Sequence, residues 1–289
     1  MEYVTLNNGV KMPILGYGVY QTPPADTESC VSSAIKLGYR SIDTAQAYGN
    51  EEGVGNAIAG CDLPREELFI TTKIWITNAG YEKAKASIDA SLKKLRSDYI
   101  DLLLIHQPFG DYYGSYRAME EAYRDGKVRA IGVSNFYPDR FLDIAHFAEV
   151  KPAINQMETH VFQQQKQLRN YLGDTRLMSW GPFAEGRNNF FSTPELVSIG
   201  AAHNKTAAQT ALRFLVQSGV VIIPNSLFAQ AGVQWHDFGS LHSRSAGTPE
   251  SAGSSWNGFP TVQHFHHRFP QINSTSRIFI CSKQRRSHH

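Results

Sequence analysis

The sequence predicts an α/β fold, a closed (β/α)8 TIM barrel that follows a short N-terminal β-hairpin. Eight short apolar, β-type runs succeed one another between residues 12 and 226, and each run ends on polar residues. Amphipathic stretches with apolar residues at three- and four-residue spacing separate most of these runs. Continuous apolar strands, mostly one helix apart, are typical of a parallel barrel of about 250 residues.

The elements follow one another in a regular order. A hairpin with its turn at Asn7-Asn8-Gly9 comes first. Clear helical patterns follow at residues 26–38, 81–95 and 206–219. The eight predicted strands are residues 12–20, 41–45, 68–75, 100–106, 128–135, 153–159, 176–183 and 220–226.

A doubly wound open sheet is the alternative to the barrel. The usual dinucleotide-binding turn of such sheets has three glycines in the pattern GxGxxG. The segment Gly16-Tyr17-Gly18 lacks the third glycine, so the open sheet is the weaker interpretation.

Composition disfavours several classes of protein. The net charge of +2 gives no reason to expect nucleic acid or a membrane as partner. Three widely spaced cysteines, Cys30, Cys61 and Cys281, argue against a disulfide framework and a thiolate metal site. No secretory signal or run of about 18 apolar residues occurs. We therefore expect a soluble, monomeric protein of the cytoplasm that binds no metal.

Four ionisable residues lie at or just after three successive predicted strands. Because the carboxyl ends of barrel strands form one rim, we expect Asp43, Tyr48, Lys73 and His106 to lie close together. A single such residue is more often part of a structural ion pair, but four complementary residues favour a catalytic site. No HExxH, CxxC or GxSxG motif occurs, which disfavours a metal or acyl-transfer site.

Five segments resemble signature blocks of the aldo-keto reductase superfamily, in the order and spacing of that family. The resemblance covers about residues 1–226, and the form HQPFGD resembles the bacterial branch. It implies an NAD(P)H-dependent oxidoreductase that reduces aldehydes or ketones to alcohols. The segments are SIDTAQAYGNEEGVGNAI, LFITTKIW, DYIDLLLIHQP, KVRAIGVSNF and AINQMETH.

The resemblance assigns a role to each of the four residues. Tyr48 is the expected general acid, because the alkoxide formed by hydride transfer needs a proton donor. Lys73, oriented by Asp43, is expected to lower the pKa of the phenol. An ammonium about 4 Å away at an effective dielectric near 20 supplies about 4 kcal/mol, or about 3 pKa units. His106 is expected to hydrogen-bond the carbonyl oxygen.

The resemblance also implies where a nicotinamide cofactor binds. Ser134, Asn135 and Gln156 match residues that hold the carboxamide, and Trp180 matches the aromatic residue that stacks on the ring. Other interpretations stay open, since Ser-Asn is a common turn, Gln156 could satisfy a neighbouring backbone group and Trp180 could lie in the core.

Further positions match the pyrophosphate contacts and the substrate cleft. Gly181 and Phe183 stand where the family has Ser and Leu after the aromatic residue, and both are expected near the pyrophosphate. Tyr20, Trp75 and Phe109 are expected to line an apolar cleft for a small-molecule carbonyl substrate. For Phe109 a place in the core is an equal alternative.

The family pattern weakens at the end of the eighth strand. In the family an Ile-Pro-Lys-Ser segment, followed by an Arg and an Asn, binds the 2′-phosphate of NADPH. Here Asn225 precedes Ser226, and Ala231 and Trp235 occupy the two later positions. NADPH is the expected cofactor, with NADH possible, and each lost charge-assisted contact should lower NADPH affinity at least about tenfold.

The last region differs from the rest of the chain. Residues 227–289 carry 6 Lys/Arg against 2 Asp/Glu, whereas residues 1–226 carry 22 against 24. The stretch LFAQAGVQWHDFGSL resembles translated Alu repetitive sequence. We therefore expect a barrel at 1–226 and a disordered tail at 227–289 that replaces the eighth outer helix. The alternative function is a catalytically impaired barrel or a cofactor-binding protein.

Overall fold

A computed structural model of the protein describes residues 1–225. The N-terminal hairpin pairs β1 (Tyr3–Thr5) antiparallel with β2 (Lys11–Pro13). Its turn is closed by the Leu6 backbone N–H, which donates to Val10 O at 2.9 Å. Gly9 has a φ of 86°, a conformation that glycine adopts without strain. The predicted hairpin is confirmed, whereas the predicted tail and the division of the chain at residue 226 lie outside the described residues.

Eight parallel strands pair with one another in chain order. Backbone bridges from Leu15 to Ile222 and from Gly18 to Asn225 join the first strand region to the last, so the sheet closes on itself. Every predicted strand run contains one of these strands, which confirms the (β/α)8 barrel. The strands are β3 (Tyr17–Gly18), β4 (Ser41–Asp43), β5 (Phe69–Ile74), β6 (Leu102–Ile105), β7 (Ile131–Ser134), β8 (Ile154–Glu158), β9 (Arg176–Trp180) and β10 (Val221–Ile222).

Helices connect the strands, and local sequence explains where several of them begin. Three helices begin at a proline, where the missing N–H costs nothing, namely at Pro24, Pro138 and Pro194. Thr206 and Gln209 form a reciprocal capping box at the start of the helix that begins at Ala207. The helices are α1 (Pro24–Lys36), α2 (Glu51–Ala59), α3 (Tyr81–Leu95), α4 (Tyr112–Arg124), α5 (Pro138–Phe147), α6 (Lys166–Arg169), α7 (Pro194–Ala202) and α8 (Ala207–Gln217).

The hydrophobic core has two layers, which the strand periodicity separates. On β6, Leu102 and Leu104 belong to the cluster inside the barrel, while Leu103 and Ile105 belong to the cluster between strands and helices. Leu6, next to the hairpin turn, joins the inner cluster. The hairpin therefore packs on the core at the amino ends of the strands. Within the described residues, no helix is long and apolar enough to cross a membrane.

Candidate active site

Side chains alternate along each strand, and this alternation places the site residues at the end of the barrel opposite the N-terminal hairpin. His106 lies two residues after Leu104, an inner-cluster residue, and Gln156 lies two residues after Ile154. Residues two apart on a strand face the same side, so both side chains continue the inner face towards the carboxyl ends. Trp180 bears the same relation to Met178 on β9. This is the end at which barrel enzymes place their active sites.

Three of the four expected catalytic residues form a chain of contacts. Lys73 Nζ lies 2.5 Å from Asp43 Oδ1 and 3.4 Å from Tyr48 Oη, and it also donates to Thr44 O at 2.9 Å. The side chains of Lys73 and Asp43 are only 1% and 4% exposed. The structure thus brings together residues from β4, β5 and the turn after β4 around one ammonium.

Burial and pairing act in opposite directions on this ion pair. Burial raises the pKa of Asp43 and lowers the pKa of Lys73, while each partner's charge opposes that change in the other. Burial favours the neutral form of both groups, and pairing favours the ionised form of both. The pair therefore carries no net charge, whether both groups are ionised or both are neutral. The Asp43 carboxylate also accepts a hydrogen bond from Gln156, which favours its ionised form.

The pKa of Tyr48 shifts in the direction opposite to the one expected from the sequence. Burial raises the pKa of its phenol well above the ordinary value of 10.0, and the charge of Asp43 raises it further. Lys73 was expected to lower this pKa, but burial outweighs the nearby ammonium, and the charge of Asp43 acts in the same direction as burial. Tyr48 therefore keeps its proton at neutral pH, which is the state that a proton donor requires.

His106 is neutral and lies against two aromatic rings. Its ring centroid is 5.6 Å from that of Tyr48 and 5.0 Å from that of Trp75, both in edge-on arrangements. Burial, aided by the charge of Lys73, lowers its pKa to about 3. Within the described part of the chain, its buried Nδ1 has no hydrogen-bond partner.

The three expected cleft residues lie near the mouth with different exposures. Tyr20 is 42% exposed and stacks obliquely on Tyr48, with ring centroids 5.1 Å apart. Trp75 is half-buried. Phe109 is 47% exposed, so it is not a core residue, which was the alternative for this position.

The four expected nicotinamide contacts form a second hydrogen-bonded group. Trp180 Nε1 donates to Asn135 Oδ1 at 3.0 Å, and Asn135 Nδ2 donates to Ser134 Oγ at 3.1 Å and to His106 O at 3.0 Å. Ser134 Oγ donates to Gln156 O at 3.0 Å. The Ser134 hydroxyl, the Asn135 side-chain amide and the half-buried indole of Trp180 are thus linked to one another and to the backbone of Gln156.

The remaining residues expected to contact the cofactor differ in how accessible they are. Gly181 has a φ of 61°, and a side chain there would meet open space, so its backbone is accessible. Phe183 is only 1% exposed and packs on Phe190 in the core, so its side chain cannot contact a cofactor and only its backbone could. Asn225 is half-buried, and among the described residues its Oδ1 has no hydrogen-bond partner. Ser226 lies outside the described residues.

Comparison with known proteins decides the family. The model of the aldo/keto reductase family matches residues 14–230, which is most of the chain. The chain belongs to the aldo/keto reductase family. The eight strands, the hairpin and the residues of the rim all lie within the matched region or just before it.

Individual relatives cover the same part of the chain. It is 47% identical over 231 residues to a glyoxal reductase of Bacillus subtilis, an alignment that spans 78% of this chain and 83% of the relative. It is 38% identical over 229 residues to the methylglyoxal reductase DkgA of Escherichia coli, with 78% and 82% covered. These proteins share its family, which supports carbonyl reduction in general.

Solved structures of the same family share the fold of this chain. An aldo-keto reductase from a Medee basin deep-sea metagenome library is 40% identical, with a TM-score of 0.78 over 84% of this chain and 91% of that one. An aldo/keto reductase from Brucella melitensis is 41% identical, with a TM-score of 0.75 over 78% and 88%.

Sequence reasoning missed the polar residues that fix the turn carrying Tyr48. Asn50 Nδ2 donates to Val19 O at 3.0 Å and its Oδ1 accepts from Thr44 Oγ1 at 2.8 Å. Gln46, two residues before Tyr48, also bonds to other elements. Both Gln46 and Asn50 lie within two residues of Tyr48, the expected general acid, and this proximity in sequence could have identified them. Among the described residues, no group of three metal-ligating side chains occurs.

Proposed function

We propose that this aldo/keto reductase reduces aldehydes or ketones by hydride transfer from NAD(P)H, with Tyr48 as the general acid. The observation that carries the proposal is the position of Lys73 Nζ, which lies between Asp43 Oδ1 at 2.5 Å and Tyr48 Oη at 3.4 Å in the mouth of the barrel. The ammonium would stabilise negative charge that develops on the phenol oxygen. Asp43 holds that ammonium in place.

The reaction needs one hydride at the carbonyl carbon and one proton at the carbonyl oxygen. Tyr48 would give up the proton as the alkoxide forms, because an alkoxide is a far stronger base than a phenolate. A neutral His106 would donate a ring N–H to the same oxygen and so orient the carbonyl. Tyr20, Trp75 and Phe109 would cover the substrate with apolar surface.

The nicotinamide would bind beside this site. The amides of Asn135 and Gln156 and the hydroxyl of Ser134 match a carboxamide in chemistry, and the indole of Trp180 offers a flat face. A reduced nicotinamide, when bound there, supplies the hydride. The backbone at Gly181 and Phe183, with Asn225 and Ser226, would lie towards the pyrophosphate and adenosine end.

NADPH is the proposed cofactor, with NADH as the second choice. Asn225 is uncharged, so it offers no ionic contact to the 2′-phosphate that distinguishes NADPH. We therefore propose a smaller preference between the two cofactors than a lysine at this position would give.

Small α-dicarbonyl compounds are the substrates to test first. Relatives named glyoxal reductase and methylglyoxal reductase are 47% and 38% identical to this chain. The rings of Tyr48 and Trp75, which lie edge-on to His106, offer apolar surface to such an aldehyde. We propose glyoxal and methylglyoxal as test substrates, with an aromatic aldehyde as a larger one.

The proposed function is tested by following oxidation of NADPH and NADH by absorbance with each aldehyde. Tyr48→Phe should reduce turnover to background while leaving cofactor affinity within about twofold, since the ring contacts are kept. Tyr171→Phe, which removes an exposed phenol elsewhere, is the matched control and should retain wild-type turnover. Equal activity in Tyr48→Phe and wild type would refute Tyr48 as the acid.

A second candidate is an impaired barrel that binds cofactor without efficient turnover. It is favoured by Asn225, which is uncharged where the family resemblance places a lysine that binds the 2′-phosphate of NADPH. Titration of NADPH against tryptophan fluorescence, with thermal unfolding at each concentration, distinguishes the candidates. Cofactor binding with turnover supports the reductase, and cofactor binding without turnover supports the impaired barrel.

A further inference from the structure

Gln46 uses both ends of its side chain to connect the turn of Tyr48 to two other elements. Its Oε1 accepts from the Trp75 backbone N–H at 3.0 Å and from Asn78 Nδ2 at 2.9 Å. Its Nε2 donates to Ser91 Oγ at 3.1 Å and to Ser87 O at 3.3 Å. One amide thus makes four hydrogen bonds, the full number that a carboxamide usually forms.

These bonds hold both sides of the site at once. Gln46 is the first residue of the 3-10 turn and Tyr48 is the last. The position of the Gln46 backbone therefore constrains the position of the Tyr48 phenol. Trp75 directly follows β5, and its ring lies edge-on to His106 with centroids 5.0 Å apart. A shift of the Trp75 backbone would therefore move the ring that contacts His106.

Other bonds keep the turn folded without Gln46. The Tyr48 backbone N–H donates to Ala45 O at 3.0 Å, and Asn50 holds the far end of the turn through Val19 O and Thr44 Oγ1. Those bonds tie the turn to the side of β4 and the loop after β3. They do not reach Trp75 or α3. On that side Lys73 of β5 contacts the phenol itself, while Gln46 bonds to the Trp75 backbone and to α3.

We propose that Gln46 is a positioning residue that sets the placement of Tyr48 relative to His106 by tying the turn of Tyr48 to Trp75. The proposal rests on the proposed function. Misplacement of reacting groups by about 1 Å can lower turnover up to about a hundredfold. Loss of the Gln46 amide should therefore lower kcat and leave cofactor binding, which uses the other side of the mouth, unaltered.

The first measurement is hydrogen exchange at the Trp75 amide, which needs no catalysis. In Gln46→Ala this amide should exchange about tenfold faster, because its acceptor is gone. The backbone N–H of Asn135, which donates to Gln156 O at 2.9 Å, is the internal control and should keep its exchange rate. Gln46→Glu keeps an acceptor oxygen and should restore protection at Trp75.

The second measurement is steady-state kinetics with methylglyoxal, in parallel with the cofactor titration. Gln46→Ala should lower kcat by about tenfold or more, with the Kd for NADPH within about twofold, and Gln46→Glu should recover most of the loss. Gln164→Ala removes a buried glutamine that donates to Val161 O at 2.9 Å, so it controls for general destabilisation. It should keep wild-type kcat and Trp75 exchange.

The outcomes separate the inference from the function on which it rests. Faster Trp75 exchange with unchanged kcat in Gln46→Ala, or unchanged Trp75 exchange, would overturn the positioning role alone. A loss of kcat in Gln164→Ala equal to that in Gln46→Ala would overturn it too. A wild-type protein without turnover would overturn the proposed function, and the positioning role with it.

Discussion

Gln156 Nε2 donates to Asp43 Oδ2 at 2.9 Å, although 113 positions of sequence separate the two residues. The same amide nitrogen lies 3.3 Å from Met178 Sδ. Asp43 belongs to the expected catalytic group and Gln156 to the expected nicotinamide contacts. The two groups therefore share a buried hydrogen bond, and a substitution of Asp43 or Gln156 is expected to alter both groups.

Replacement of Gln156 by leucine should destabilise the protein by about 1–3 kcal/mol. The change removes the donor to Asp43 Oδ2 in a site that is buried from solvent, and an unsatisfied buried acceptor costs about that much. Urea unfolding at neutral pH measures the difference. A variant within about 0.5 kcal/mol of wild type would show that Asp43 Oδ2 finds another partner.

Lys73→Met should cost about 3–5 kcal/mol at neutral pH, because it leaves Asp43 as an unpaired buried carboxylate. With its counter-ion gone, burial alone raises the pKa of Asp43, so protonation favours the folded state. The cost should therefore be largest at neutral pH and shrink as the pH falls through that raised pKa. Urea unfolding across this pH range follows the change.

The double variant Asp43→Asn with Lys73→Met is the control for charge. It removes both partners, so it should be less destabilised than Lys73→Met alone and show no such pH dependence. An equal loss of stability in both variants would mean that packing of the Lys73 chain, and not its charge, stabilises the site.

His106 should make the protein less stable as the pH falls below neutrality. Its folded pKa is about 3, against an ordinary value of 6.5, so the unfolded chain binds a proton that the folded chain does not. Its contribution is complete above pH 6.5 and is lost between pH 6.5 and about 3. Between pH 7 and 5 the loss should be about 2 kcal/mol. His106→Gln, compared by urea unfolding, should lose about that much less than wild type over the same interval.

The rate of carbonyl reduction should not fall through ionisation of Tyr48 below about pH 10. Burial and the charge of Asp43 hold the pKa of this phenol well above 10.0, so the proton that it donates stays in place. The measurement is kcat/KM for methylglyoxal from neutral pH upwards, with unfolding checked by circular dichroism at each pH. A decline centred near pH 8, with the fold intact, would show that the Tyr48 pKa is lowered in the working enzyme.

Much of the site follows from local sequence. Lys73 lies near the end of β5 and His106 directly follows β6, and the alternation of side chains along a strand places both on the inner face. Phe183 shows the limit of this approach. Phe183 and Trp180 belong to the same predicted strand, yet the ring of Phe183 packs on Phe190, which lies in a later turn. Contact with a segment further along the chain thus decides whether an aromatic residue after a strand is buried or exposed.

The sequence by itself determined the order of strands and helices, the hairpin and the residue types at the strand ends, because turn chemistry and hydrophobic periodicity are local properties. Only the tertiary structure decided the closure of the barrel at Leu15 and Ile222, the bond between Gln156 and Asp43, and the direction of the Tyr48 pKa. Each of these depends on groups far apart along the chain. Desolvation in particular depends on how completely the fold removes water from a residue, which the identity of its neighbours in sequence does not set.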